Sequence, residues 1–333
     1  MLGNRFATRL NAFKFDSSAV GATSSAKAGA IQQLQRAASV KGLTDVDLNY
    51  PDHVLQIGSE FALRAQDLGL KVNGLAMRFG ASRKFASGAF TCSDPRIRRE
   101  AIDQTKRGID AARECGAGLM TIWLGEDGFD YGFQADYEKI WNDEVQAIRE
   151  VALHDSECRI SIEYKPNEPR AFALLPDLAS TLLAIAEADC ANLGVTLDFA
   201  HMLYGGEHPP ASASLAARKS TILGVHLNDG YGKRDDGLMV GSVHLAATVE
   251  FMYQLLKIPY DGVIYFDTFP DASGVDPVLE CESNIKATGQ LISAARELLN
   301  SNALDNAMKR QDPVASRQMV HEAIARAFGK STH

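Results

Sequence analysis

The sequence of 333 residues predicts a (β/α)8 barrel with a C-terminal helical extension. Eight short apolar runs alternate with longer amphipathic segments, which is the pattern of parallel strands connected by helices. The last run lies near residue 265, so eight such units can close into a barrel. A doubly wound open sheet is the alternative, and it is disfavoured because no Gly-x-Gly-x-x-Gly motif follows the first strand.

The apolar runs and the helices between them can be placed in chain order. The predicted strands are residues 5–13, 42–50, 70–79, 119–124, 158–165, 193–201, 222–229 and 262–269. A helix is predicted at 96–116, with Ser93 or Asp94 as its N-cap, Pro95 in its first turn and Gly116 at its end. Another is predicted at 136–155.

The two ends of the chain fall outside this alternation. The Ala- and Ser-rich segment 17–30 has the composition of a loop that leads into a helix. Residues 289–327 show more helical pattern than closing a barrel requires. We therefore predict a barrel catalytic domain at 1–288 and a helical extension at 289–333, which packs on the barrel or on a neighbouring subunit.

Composition limits the partners and the compartment. The formal net charge is −8 and the pI about 5.5, which disfavours nucleic acid and anionic membranes. The 5 cysteines are odd in number and contain no Cys-x-x-Cys pair, so neither a disulfide framework nor a zinc ribbon is expected. We find no signal-peptide pattern and no apolar run long enough to span a membrane, and we expect a cytoplasmic protein.

Four consecutive predicted strands end in side chains that can bind a metal. These are Glu163 with Lys165, Asp198 with His201, His226 with Asn228, and Asp267. A single acidic residue at a strand end often only caps a helix, and a single histidine is often structural. In a closed barrel, however, the four strand ends converge, and the carboxylates would repel one another without a cation. Oxygen ligands with one imidazole suit Mn²⁺, Mg²⁺ or Co²⁺.

Longer motifs carry a resemblance to a known family. The segments IEYKPNEPR (162–170) and TLDFAH (196–201) resemble the xylose isomerase-like TIM-barrel superfamily. HLND (226–229), RDDGLMVGSV (234–243) and IWLGEDGFDYGFQADY (122–137) resemble its L-rhamnose isomerase branch in particular. The resemblance covers roughly residues 120–270.

The resemblance implies two divalent metal ions per subunit, Mn²⁺ above all. The residues that match the ligands of the structural ion are Glu163, Asp198, His226 and Asp267. His201 and Asp235 match the ligands of the second, catalytic ion, although the neighbouring Asp236 can also take that position. Lys165 matches the lysine that contacts the carbonyl oxygen of the substrate.

Other residues are candidates for the substrate pocket. Trp123 could form an apolar wall, and Phe90 lies in a loop that could cover the site. His53 is a further pocket candidate; it lies near the position of the ring-opening histidine of classical xylose isomerases, but its surroundings differ from those of that histidine. Core packing or an ordinary loop position would explain each of them equally well. Glu168, Arg170, Asn228 and Asp229 are expected to orient the metal ligands.

These features predict an aldose–ketose isomerase that acts on a free monosaccharide by a hydride shift. A ketose 3-epimerase of the same superfamily is the alternative; those enzymes carry a glutamate where this chain has Asp267. A non-catalytic sugar-binding barrel is disfavoured because Lys165 accompanies the full ligand set, and a DNA endonuclease because only 8 histidines are present. We expect a homodimer or homotetramer.

Overall fold

The computed structural model describes residues 2–14, 26–54, 59–80 and 82–329. Eight parallel strands form a closed barrel in the order β1–β2–β3–β4–β6–β8–β9–β10, and β10 pairs with β1. The strands are β1 (Phe6–Arg9), β2 (Asp45–Tyr50), β3 (Lys71–Met77), β4 (Leu119–Trp123), β5 (Gly128–Phe129), β6 (Arg159–Glu163), β7 (Phe172–Ala173), β8 (Leu193–Asp198), β9 (Ile222–Leu227) and β10 (Ile264–Phe266). The barrel prediction is confirmed, because an open sheet would lack the β1–β10 pairing.

Helices surround the barrel. They are α1 (Ala26–Ala38), α2 (Ser59–Asp67), α3 (Pro95–Glu114), α4 (Tyr137–Ala152), α5 (Leu178–Ala188), α6 (Phe199–Tyr204), α7 (Pro209–Lys219), α8 (Leu245–Lys257), α9 (Pro270–Ser273), α10 (Pro277–Leu299), α11 (Asn302–Lys309) and α12 (Pro313–Gly329). The loop predicted at 17–30 lies mostly outside the described residues. Strands such as β2 and β8 are buried along their whole length, as expected for a parallel sheet covered by helices.

Local sequence signals explain where the long helices begin. Asp94 caps α3 by accepting a hydrogen bond from the backbone N–H of Arg96, and Pro95 occupies the first turn. Asp136 caps α4 in the same way. Gly116 follows α3 with a φ of +70°, a left-handed conformation that glycine adopts readily.

The C-terminal helices pack on the barrel's own helices. α10 lies against α8, and α12 packs on both of them. The helical extension is therefore present, and α10 runs as one helix across residue 288, the boundary proposed from the sequence. Among the helices of the described residues, none combines the length and apolar character needed to cross a membrane.

Candidate metal centre

The four predicted ligands of the structural ion meet at the carboxyl ends of neighbouring strands. Glu163 ends β6, Asp198 ends β8, His226 lies in β9 and Asp267 follows β10. One ligand atom from each lies within 4.8 Å of the others, and all four residues are buried. The Nδ1 atom of His226 lies 3.1 Å from Glu163 Oε1, 3.9 Å from Asp198 Oδ2 and 4.0 Å from Asp267 Oδ2. This group could hold a metal ion.

The charges within this group depend on one another. Burial raises the pKa of Asp198 to about 7 and also raises that of Asp267. Burial acts in the same direction on Glu163, but the charge and hydrogen bond of His226 outweigh it and hold the pKa at about 2. Burial would lower the pKa of His226, yet Glu163 raises it to about 9. A protonated imidazole thus supplies the positive charge that a divalent cation would supply, and the donor set fits such an ion.

One amide orients two of the ligands. The Nδ2 atom of Asn228 donates to both carboxylate oxygens of Asp198, at 3.2 and 3.1 Å, and to the backbone oxygen of Asp267 at 3.2 Å. Its own Oδ1 accepts the backbone N–H of Ala200 at 2.8 Å. Asn228 therefore ties together the ends of β8, β9 and β10, as expected of a residue that supports a metal ligand.

A second polar group lies beside the first. His201 is in the first turn of α6, which Asp198 caps, and its Nδ1 contacts the backbone oxygen of Tyr164 at 3.0 Å. This contact turns Nε2 toward Asp235, whose Oδ2 lies 3.2 Å away. Lys165 Nζ lies 3.2 Å from the same oxygen. The other oxygen, Oδ1 of Asp235, is buried without a hydrogen-bond partner, so this carboxylate has an unused ligand atom for a cation.

The two adjacent aspartates of the 230s loop have different surroundings. Asp235 lies at the site, whereas Asp236 accepts hydrogen bonds from the backbone N–H of Tyr231 and from Arg234 Nε, each at 2.8 Å. Asp236 therefore shapes its own loop. The structure brings Asp235 rather than Asp236 to His201.

A cavity of about 310 Å³ opens onto both groups. It is lined by Arg9, Asn11, Arg78, Trp123, Glu163, Lys165, Glu168, His201, Asp235, Asp267 and Phe269. Lys165 Nζ lies 5.3 Å from the centre of the Trp123 ring, so Trp123 forms a wall as proposed from the sequence. A cavity of about 640 Å³ lies at the amino ends of the strands, far from the ligand group. The larger volume does not make this cavity the candidate site, because barrel enzymes have their active sites at the carboxyl ends of the strands.

Two residues proposed for the pocket lie elsewhere. Phe90 is fully buried and packs on Phe79 with ring centres 5.6 Å apart. His53 follows β2 and is buried, and its Nδ1 accepts the backbone N–H of Asn49 at 2.9 Å. Neither residue lines the cavity.

Four lining residues were not singled out in the sequence. These are Arg9, Asn11, Arg78 and Phe269. Arg9 ends β1, Asn11 lies just beyond it, and Arg78 directly follows β3. Their position at strand ends was the only sequence feature that could have indicated them as pocket residues, because no recognisable motif surrounds them.

The fold and the site define a barrel protein with a candidate metal centre at the carboxyl ends of its strands. Residues 30–296 match the family model described as xylose isomerase-like TIM barrel, and the chain belongs to this family. It is 28% identical over 218 residues to the xylose isomerase of Thermus thermophilus. That alignment covers 64% of this chain and 56% of the relative, so the chain spans little more than half of that protein's length.

Solved structures show the same fold at lower identity. An L-ribulose 3-epimerase is 19% identical, with a TM-score of 0.69 over 90% of this chain and 98% of the other. A D-allulose 3-epimerase from Methylomonas sp. is 18% identical, with a TM-score of 0.66 over 86% of this chain and 97% of the other. At these identities the likeness concerns the fold.

Proposed function

We propose that the protein is a divalent-metal-dependent aldose–ketose isomerase of the L-rhamnose isomerase type. The observation that carries the proposal is the placement of Lys165 in one cavity with two groups of metal-binding side chains. The similarity to a xylose isomerase supports the same class of reaction. A volume of about 310 Å³ suits one sugar unit, since ligand pockets begin at roughly 300 Å³.

Two groups of side chains would bind the metal ions that such a reaction needs. Glu163, Asp198, His226 and Asp267 would hold one ion, and His201 with Asp235 the second. Mn²⁺ is favoured, with Mg²⁺ or Co²⁺ as alternatives; when bound, such ions polarise a carbonyl and acidify the neighbouring hydroxyl.

Lys165 and Trp123 would act directly on the sugar. Burial lowers the pKa of Lys165, but the carboxylates of Asp235 and Glu168 reverse this and raise it. Lys165 is therefore charged at neutral pH and can donate a hydrogen bond to the carbonyl oxygen, where negative charge develops. Trp123 keeps water from the carbons between which hydrogen moves. A hydride shift between adjacent carbons needs no carboxylate base, so this arrangement is sufficient for it.

A ketose 3-epimerase is the second candidate. Two of the similar solved structures carry that name. An epimerase needs two carboxylates on either side of one carbon, and Glu163 and Asp267 both line the cavity. Asp267 is shorter by one methylene than the glutamate of those enzymes, which favours the isomerase. A non-catalytic sugar-binding barrel remains a third candidate, and the buried Lys165 argues against it.

A screen of aldoses and ketoses with Mn²⁺ in D₂O tests the three candidates. Aldose–ketose conversion with little deuterium at C1 or C2 supports the isomerase and the hydride shift. Deuterium at C1 or C2 keeps the isomerase but replaces the hydride shift with an enediol. Ketose-to-ketose conversion with deuterium at C3 identifies the epimerase, and sugar binding without turnover identifies the binding barrel.

We further propose a cytoplasmic homodimer or homotetramer that does not bind nucleic acid. The net charge of −8 supports the absence of a nucleic-acid partner. Measuring retention on DNA at low salt tests this point, and salt-sensitive binding would contradict it.

A further inference from the structure

The charged residues around the cavity lie on two different sides of the barrel. The candidate metal ligands come from β6, β8, β9 and β10, which are neighbours in the sheet. Arg9 ends β1 and Arg78 follows β3, on either side of β2. The cavity therefore has an acidic, metal-binding side and a basic side.

On the acidic side, the charges already have partners. Glu163 accepts from His226, Glu168 lies 2.9 Å from Lys165 Nζ, and Asp235 contacts His201 and Lys165. A divalent cation would add positive charge here. Among the described residues, none of these three carboxylates forms an ion pair with Arg78 within 4.0 Å.

Arg78 has a different environment. Its Nε donates to Oδ1 of Asn49 at 3.2 Å, which is a neutral amide. Its guanidinium carbon lies 5.8 Å from the centre of the Trp123 ring, at the wall of the cavity. Within the described ranges, no carboxylate oxygen lies within 4.0 Å of it. A half-buried guanidinium with neutral partners can donate two more hydrogen bonds to an anion.

Asn11 adds an independent observation on the same side. It lies in the short 3-10 helix Leu10–Phe13 after β1 and lines the cavity. Its Oδ1 is buried and has no hydrogen-bond partner. A buried acceptor without a partner is destabilising, and a hydroxyl of a bound ligand would satisfy it.

We infer that the cavity takes a monosaccharide that carries an anionic group at the end remote from the reacting carbonyl, and that Arg78 selects for this group. A sugar acid and a sugar phosphate share the required chemistry, because a guanidinium binds either group through two parallel hydrogen bonds. Asn11 would accept a hydrogen bond from a hydroxyl between the two ends. The inference rests on the proposed function only in placing the reacting carbonyl of the sugar at the metal-binding side.

The surroundings of His53 agree with a positive potential on this side. Burial, followed by the charges of Lys14 and Arg78, lowers the pKa of His53 to about 4. His53 is therefore neutral at pH 7 and adds no charge of its own. This basic side occurs in a chain of net charge −8, so it is a local feature of the cavity.

Direct binding measurements test the inference without requiring turnover. We would titrate the Mn²⁺-loaded protein calorimetrically with a hexuronate, a hexose 6-phosphate and the neutral hexose, at low and high salt. At least one anionic sugar should bind about tenfold more tightly than the neutral one, because one charged hydrogen-bonded pair is gained. The advantage should shrink at high salt. The relative affinities of the two anions identify the carboxylate or the phosphate.

Variants separate selection by Arg78 from a supporting role. Arg78→Gln should bring the affinity ratio between anionic and neutral sugar close to one, whereas Arg78→Lys should retain part of it. Arg83→Gln, at an exposed arginine outside the cavity, should leave the ratio unchanged. Equal wild-type affinities would overturn the inference. The inference would also be overturned if Arg78→Gln weakened the binding of all three sugars equally. It would likewise be overturned if Arg78→Gln kept the full preference for the anionic sugar, because the anion would then bind the metal.

The results also separate this inference from the proposed function. Arg78-dependent binding of an anionic sugar without interconversion would retain the inference and refute the isomerase. Interconversion of neutral sugars without a preference for anionic sugars would retain the isomerase and refute the inference about Arg78. The salt dependence of the wild-type protein keeps the test valid even if Arg78→Gln does not fold.

Discussion

The Nε2 atom of His201 lies 3.2 Å from Oδ2 of Asp235, while the other oxygen of that carboxylate is buried without a partner. Burial alone would raise the pKa of Asp235, but the hydrogen bond and charge of His201 lower it to about 2. The carboxylate is thus ionised with one oxygen unsatisfied. Such an arrangement is costly in isolation and suited to an additional positive charge.

The second metal should therefore depend on Asp235 and not on its neighbour. Calorimetric titration with Mn²⁺ should show two sites in the wild-type protein and one in Asp235→Asn. Asp236→Asn is the matched control and should keep both, because Asp236 bonds within its own loop. If Asp236→Asn loses a site and Asp235→Asn does not, Asp236 is the ligand and the assignment to Asp235 is wrong.

Metal binding at the first site should stabilise the fold. An ion bound only by the native state at a hundredfold excess over its Kd adds about 2.7 kcal/mol. Mn²⁺ should raise the Tm of the chelator-treated protein, and Glu163→Gln should abolish most of that rise. Glu168→Gln should not, because Glu168 is outside the four-residue group. Thermal unfolding with equal shifts in both variants would contradict the assignment.

Lys165 should contribute more to turnover than to affinity. Lys165→Met should lower kcat by roughly two to three orders of magnitude, with a smaller change in KM, because a preorganised charge contact to the transition state is lost. The exposed Lys139→Met on α4 serves as the control. Steady-state kinetics showing a raised KM at unchanged kcat would assign Lys165 to binding only.

Glu144 should make stability depend on pH. This residue of α4 is fully buried, neither carboxylate oxygen has a hydrogen-bond partner, and burial raises its pKa well above 4.5. The unfolded chain releases this proton above its ordinary pKa, whereas the folded chain keeps it. Its contribution to stability is therefore complete at low pH and falls by about 1.4 kcal/mol per pH unit until the folded pKa is reached.

Replacing Glu144 by methionine should remove this dependence. Urea unfolding of Glu144→Met should give a protein more stable than the wild type at pH 8, with a much smaller difference at pH 5. Glu138→Met, near the exposed start of α4, is a suitable control. A difference that is the same at both pH values would show that the charge of Glu144 is not the cause.

Exposed aromatic residues near the two-stranded β5–β7 sheet should contribute to self-association. The side chain of Phe133 is fully exposed, and Tyr131 and Phe172 are exposed by 76% and 57%. Large exposed apolar patches commonly mark protein interfaces. Light scattering should give a multiple of 36.1 kDa, and Phe133→Ser should lower it. Leu183→Ser, at an exposed leucine of α5, should not; a wild-type mass of one protomer would refute the oligomer.

The sequence was sufficient for the barrel because each strand is a short apolar run between helical patterns. It also located Glu163, Asp198, His226 and Asp267, since motif and strand end coincide there. The strand predicted at 193–201 stops at Asp198, whose side chain caps α6 and so places His201 in a helix. Two-residue strands such as β5 have too few residues to show a pattern.

The basic side of the cavity was harder to find from the sequence. Arg9 and Arg78 belong to different strands, and only the closure of the barrel brings them to one cavity. Asn11 is a single polar residue in an apolar turn. Conversely, the sequence suggested Phe90 and His53 for the pocket, but neither lines the cavity. Phe90 packs on Phe79, and His53 accepts a backbone hydrogen bond from Asn49.

The four ligands of the first site come from strands that follow one another around the barrel and include β10, which closes it against β1. An ion at this position is therefore a crosslink between distant parts of the chain. Local opening of β6, β8, β9 or β10 would have to break a metal bond, whereas opening of β2 or β3 would not. Amide hydrogen exchange should consequently become uneven around the barrel when the ion binds, with the slowest exchange in the half that holds it.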